Sequence, residues 1–165
     1  MKRLFHLVFL LIFSAALVAG GYAKGAGEWN IETLPEDDSG QTLPVDPSIR
    51  LGTLKNGLTY YIRQNSKPKD RVVLRLAVNA GSILEDEDQQ GLAHFVEHMA
   101  FNGTENFEKH EIVDYMESVG MQFGPDVNAH TNYDETVYKL NVATDDPEVV
   151  EKAFSILSEW AFRIS

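Results

Sequence analysis

The 165 residues contain no cysteine. Disulfide staples and thiolate zinc knuckles are therefore excluded, and a metal would have to be held by histidine and carboxylate. Basic residues are scarce: 14 Lys and Arg stand against 25 Asp and Glu, for a formal net charge of −11. A chain so short of cations lacks the concentrated Lys/Arg that phosphate backbones and anionic bilayers require, so neither nucleic acid nor an anionic membrane surface is expected as the main partner. No apolar run is long enough to span a bilayer. The longest, Leu4–Val18, is broken by His6 and Ser14 and stops at 15 residues, against about 20 for a membrane helix. Internal repeats and low-complexity tracts are absent as well.

What that run does resemble is a secretory signal. Lys2 and Arg3 precede the apolar stretch, and the small residues Gly20, Gly21 and Ala23 follow it. This order matches an exported segment cleaved near Ala19 or Ala23. Residues 1–23 are therefore expected to be a signal peptide and the protein to be periplasmic or secreted, with anchoring by an uncleaved signal as the alternative. A stable anchor is not expected. Residues 24–50 carry several Gly and Pro and the acidic run Glu36-Asp37-Asp38 without sustained periodicity, and read as a flexible leader.

Ordered structure is expected from about residue 51 to residue 165. Leu51–Leu54 and Leu58–Gln64 flank Lys55-Asn56-Gly57, a hairpin signal. Residues 66–70 read as a turn. Val72, Leu74, Leu76 and Val78 then alternate at the two-residue period of a strand. Glu85-Asp86-Glu87-Asp88 reads as a solvated loop, since it lacks the Gly and Asn of a calcium loop. Helices are predicted over 91–101, over 107–119 behind Asn106 as cap, and over 146–161, where Asp146-Pro147-Glu148 supplies a cap, a first-turn proline and an acid. A half-buried strand is predicted over 136–142. Strands, two helices, a strand and a helix make an α+β layer with an antiparallel sheet and packed helices.

The chemistry concentrates in His94-Phe95-Val96-Glu97-His98. On a helix, residues four apart share a face, so both imidazoles can reach one ion while Glu97 lies close enough to handle a water held there. With five histidines in the chain, the pattern is expected by chance only about 0.01 times. Two imidazoles, a carboxylate and an open position make a hydrolytic zinc site, one ion per site. The Leu92, Phe95, Val96, Met99 and Ala100 stripe is expected to pack against the body, leaving His94, Glu97, His98 and Phe101 on the opposite face. His110 and His130 have no partner at ligand spacing and read as surface residues.

His-x-x-Glu-His is the inverted zinc motif, and its surroundings resemble the M16 metallopeptidases, the pitrilysin/insulinase and mitochondrial processing peptidase family. The likeness rests on Leu54-Lys55-Asn56-Gly57-Leu58, on Ala80-Gly81-Ser82 with Glu85, and on Gly91 through Thr104. It continues in Glu117-Ser118-Val119-Gly120 and in Asn128-Ala129-His130-Thr131 with Asp134, Thr136 and Tyr138. It implies that residues 51–165 are the first part of an M16-type (LuxS/MPP-like) peptidase domain, with His94 and His98 as zinc ligands and Glu97 as general base. It further implies a peptide or unfolded polypeptide as substrate, bound as an added strand near Asn128 and Ala129. The remaining M16 domains, in the same or a partner chain, would close around that substrate. The family's third ligand is a Glu about 70–80 residues past the second His. Glu148, Glu151 and Glu159 all fall short of that spacing, which places the ligand beyond Ser165. A non-catalytic peptide-binding or scaffold subunit of the family is the alternative, and a closed structural zinc site a third.

Overall fold

The computed structural model describes residues 7–13 and 44–165. The rest of the expected signal and leader lies outside the described residues. Six strands make one sheet: β1 (Leu7–Phe13), β2 (Ile49–Thr53), β3 (Thr59–Gln64), β4 (Arg71–Val78), β5 (Val127–Thr131) and β6 (Thr136–Ala143). They lie in the order β2-β3-β1-β4-β6-β5. All neighbours are antiparallel except β1 and β4. Three helices accompany them: α1 (Leu92–Asn102), α2 (Glu111–Ser118) and α3 (Pro147–Phe162). The arrangement is the expected α+β class.

Local chemistry explains most elements. The β2–β3 turn closes with Leu54 N donating to Leu58 O (2.8 Å) and Gly57 at φ +87°, a left-handed position that glycine takes without strain. Asp46, in the last residues of the expected leader, pairs with Arg63 of β3 at 3.2 Å. The β4 alternation holds: Val72, Leu74 and Leu76 are buried, facing the helices. Leu140 and Val142 of β6 meet them, and Ala153, Ile156, Leu157 and Trp160 of α3 close the core. Asp146 caps α3 by accepting from Glu148 N at 2.9 Å, as predicted. None of the described helices is long and apolar enough to cross a membrane.

Three expectations change. Leu7–Phe13, the centre of the expected signal, is a strand between β3 and β4. The second helix begins at Glu111, four residues later than predicted, and Asn106 does not cap it. Phe107 is drawn into the core instead, and Asn106 binds Glu159 through its backbone and side-chain nitrogens.

The third change concerns the orientation of α1. Glu97 is buried at 8 % exposure and Ala100 completely, whereas Leu92 and Phe95 are 49 % and 61 % exposed. The expected faces are rotated in part: Ala100 is buried and His94 and His98 are exposed as expected, but Glu97 turns inward and Leu92, Phe95 and Val96 outward. Apolar periodicity counts carbon, but the sheet and α3 offer this helix specific partners: a hydroxyl for Glu97, and the Tyr138 and Trp160 rings for Phe101. A satisfied carboxylate can be buried, and small Ala100 lets the backbones approach. Leu92 and Val96 instead wall an open cavity of about 500 Å³ with Leu84, Trp160 and Ile164.

Candidate metal centre

Helix α1 is held at both ends. Its first amides would be orphaned donors, but the Glu85 carboxylate accepts from Gly91 N at 2.7 Å and from Ala93 N at 2.8 Å. Glu85 was expected in a solvated loop, and its negative charge sits where the helix dipole favours it. At the other end, Trp160 Nε1 donates to Ala100 O at 2.8 Å. Glu159, next to Trp160, accepts from Thr104 Oγ1 and both nitrogens of Asn106, pinning the segment that leaves the helix.

This clamped turn brings the predicted histidines together. His94 Nε2 and His98 Nε2 are 3.0 Å apart, their rings edge to face. Two Zn–N bonds of about 2.0–2.1 Å at a tetrahedral angle would separate the nitrogens by about 3.3 Å, so the pair fits one zinc ion with little adjustment. No group of three or more His, Asp or Glu able to hold a metal occurs among the described residues. Among the described residues the two imidazoles are thus an incomplete donor set.

Glu97 lies between that pair and the sheet. Its Oε2 is 4.0 Å from His94 Nε2 and accepts from Thr131 Oγ1 at 2.9 Å. Thr136 Oγ1 donates to Ala80 O at 2.9 Å and lies 3.3 Å from Thr131 Oγ1. In that second contact Thr131 Oγ1 is the acceptor, and its own proton goes to Glu97. Tyr138 lies close by: burial raises its pKa, and the charge on Glu97 raises it further.

The Ala80-Gly81-Ser82 stretch forms a wall beside His94. Ser82 N and Ile83 N donate to Asn132 O and Tyr133 O, and a Cβ on Gly81 would collide with Asn132 O. Only glycine permits that approach. Ser82, Gly91, His94 and Thr131 line a cavity of about 280 Å³ there. Asn128 and Ala129 lie on β5, the free edge of the described sheet, with the Ala129 amide taken by Asn128 Oδ1 at 2.9 Å. His110 is exposed. His130 is half-buried, with Nε2 3.9 Å from Glu135 and Nδ1 buried without a partner.

Residues 60–165 match the model of the insulinase family, peptidase family M16. The chain belongs to the M16 peptidase family. It is 42 % identical over 158 residues to a probable zinc protease PqqL of Haemophilus influenzae, covering 96 % of this chain and 16 % of that protein. A zinc protease PQQL-like protein of Arabidopsis thaliana is 53 % identical over 113 residues, 68 % of this chain and 12 % of its own length. The solved first half of the periplasmic protease PqqL from Escherichia coli superposes with a TM-score of 0.72 at 42 % identity, over 74 % of this chain and 26 % of that one. The chain thus spans under a fifth of the length of these full-length relatives. The M16 match contains His94, Glu97, His98, Asn128 and Ala129, and also Glu85, Thr131 and Tyr138, whose parts in holding α1 and Glu97 were not foreseen. Thr131 stood within a quoted motif, but no local spacing ties it to Glu97, 34 positions earlier.

Proposed function

We propose that this chain is the N-terminal part of an exported zinc endopeptidase that hydrolyses peptides or unfolded segments. The observation that carries the reading is the pairing of His94 Nε2 and His98 Nε2 at 3.0 Å, with Glu97 held one turn away beside an open sheet edge. His94 and His98 would hold zinc, completed by a glutamate from outside this chain. When bound, the ion supplies an electrophile for the peptide carbonyl and makes water acidic enough to attack at neutral pH.

The remaining work falls to this chain's residues. Glu97 takes the proton of the attacking water and returns it to the departing nitrogen. The Thr131 hydroxyl fixes the carboxylate for both transfers. The free edge of β5, at Asn128 and Ala129, receives the peptide as an added strand through main-chain hydrogen bonds, the Asn128 side chain releasing the Ala129 amide as it does so. Further M16 domains of the same or a partner chain complete the enclosure.

Glu97→Gln in the full-length protein tests this. Zinc content stays near one per chain while peptide hydrolysis falls by at least about 100-fold; retained turnover would remove Glu97 as base. The 165-residue chain by itself binds zinc weakly and cleaves nothing. Robust, chelator-sensitive cleavage by it would show that no further ligand is needed.

A further inference from the structure

The sheet has a second face, away from the helices, and its composition contrasts with the rest of the molecule. Side chains alternate along a strand, so Leu74 and Leu140 point into the core while Arg75 and Lys139 point the other way. In the register of the sheet, Arg75 of β4 lies directly opposite Lys139 of β6, and Lys139 directly opposite Asn128 of β5. Two cations and an amide thus form a row across three strands that ends at the edge where a peptide would add.

Like charges directly opposite one another destabilise a sheet, and no described carboxylate neutralises this pair. The Arg75 guanidinium bonds to Leu74 O, Leu140 O and Asn141 Oδ1, carbonyl oxygens and not a carboxylate. Desolvation lowers its pKa from the ordinary value. No described carboxylate forms an ion pair with Lys139 or Arg75, although acidic residues outnumber basic ones 25 to 14. The nearest pairing on this face is His130 with Glu135, 3.9 Å apart on the neighbouring edge positions. A half-buried cation pair without a counter-charge, in a chain this acidic, is a local reversal of the protein's field.

A strand added to β5 would place every second side chain on this face. The residue facing Asn128 would sit about 5 Å from it and about 10 Å from the Lys139 backbone. The four-carbon lysine stem and a glutamate side chain together bridge that gap. Asn128, whose Oδ1 accepts the Ala129 amide, keeps its Nδ2 as a further donor. We infer that the Arg75–Lys139–Asn128 row selects a peptide carrying an acidic side chain at the position paired with Asn128. The inference rests on the strand-addition reading of β5 given above.

The test is binding, measured on the metal-free 165-residue chain by fluorescence anisotropy of labelled ten-residue peptides. A glutamine-rich parent is scanned with single Glu or Lys. Glu at one position, and more weakly two residues to either side, binds about five-fold tighter than Gln, and Lys correspondingly weaker. The difference shrinks between about 50 and 500 mM salt. Lys139→Gln reduces the Glu/Lys ratio and Lys139→Glu inverts it. Equal affinities for Glu, Gln and Lys at every position, or a preference untouched by Lys139→Glu, would overturn the proposal. N-methylating single backbone amides of the parent separates the two levels. Weakening by N-methylation without charge preference sinks only the selectivity; indifference to N-methylation, or no binding by any peptide, sinks strand addition and the selectivity with it.

Discussion

Thr131 Oγ1 donates to Glu97 Oε2 at 2.9 Å, linking an edge strand to the helix that carries both histidines. One hydroxyl thus sets the orientation of a buried carboxylate. Thr131→Val removes the donor at nearly constant volume and leaves that oxygen unpaired, which destabilises the chain by about 1–3 kcal/mol. Thr131→Ser recovers most of it. Urea midpoints of the metal-free chain check this; equal midpoints for the valine and serine variants would mean the bond contributes nothing.

Glu85 holds the start of α1 by accepting from Gly91 N and Ala93 N. Glu85→Ala is expected to lose about 1 kcal/mol, with the effect concentrated in the first turn. Hydrogen exchange at the amides of residues 91–95 should quicken about five-fold, while amides of α3 stay as they are. Uniform acceleration throughout would indicate a global effect unrelated to the cap.

Glu159 predicts a pH dependence. Burial pushes its pKa up, but hydrogen bonds from Asn106 and Thr104 and the charge of Arg163 outweigh it and hold the carboxyl below its ordinary value. A carboxyl depressed in the folded state binds its proton more readily when unfolded. Its contribution to stability is therefore present above the unfolded value, about 4.3, and is lost as pH falls below it. Glu159→Gln should be less stable than the parent at pH 7, and the gap should narrow toward pH 3 in urea titrations. A gap independent of pH would remove the ionised form from the argument.

Much of this was legible locally, and what was not depended on distant partners. The Asn56-Gly57 hairpin, the alternation of β4 and β6 and the Asp146-Pro147 cap are carried by neighbours a few residues apart. So is the His94/His98 pairing, which needs only a helix. The inward turn of Glu97 was hidden because its cause is Thr131, on another element. The start of α2 shifted because Phe107 and Asn106 have better partners in the core and at Glu159 than in a helix. β5 escaped periodicity because it is five residues long and lies at an edge, where Asn128 and His130 need not be apolar.

The placement of Leu7–Phe13 sets secretion against folding. β3 and β4 follow one another through residues 65–70, yet the N-terminal strand, not their own pairing, joins them. The M16 match begins at residue 60 and leaves these seven residues out. Cleavage near Ala23 would divide the sheet into two blocks, β2–β3 and β4–β6–β5, each with an unpaired inner edge. Interior main-chain groups do not stay unpaired, so a processed chain needs a replacement strand in that slot, parallel to β4 and antiparallel to β3. The expected signal and the centre of the sheet draw on the same seven residues. Where they fill the slot, the hairpin carrying Asn56-Gly57 is locked to the histidine-bearing half of the sheet.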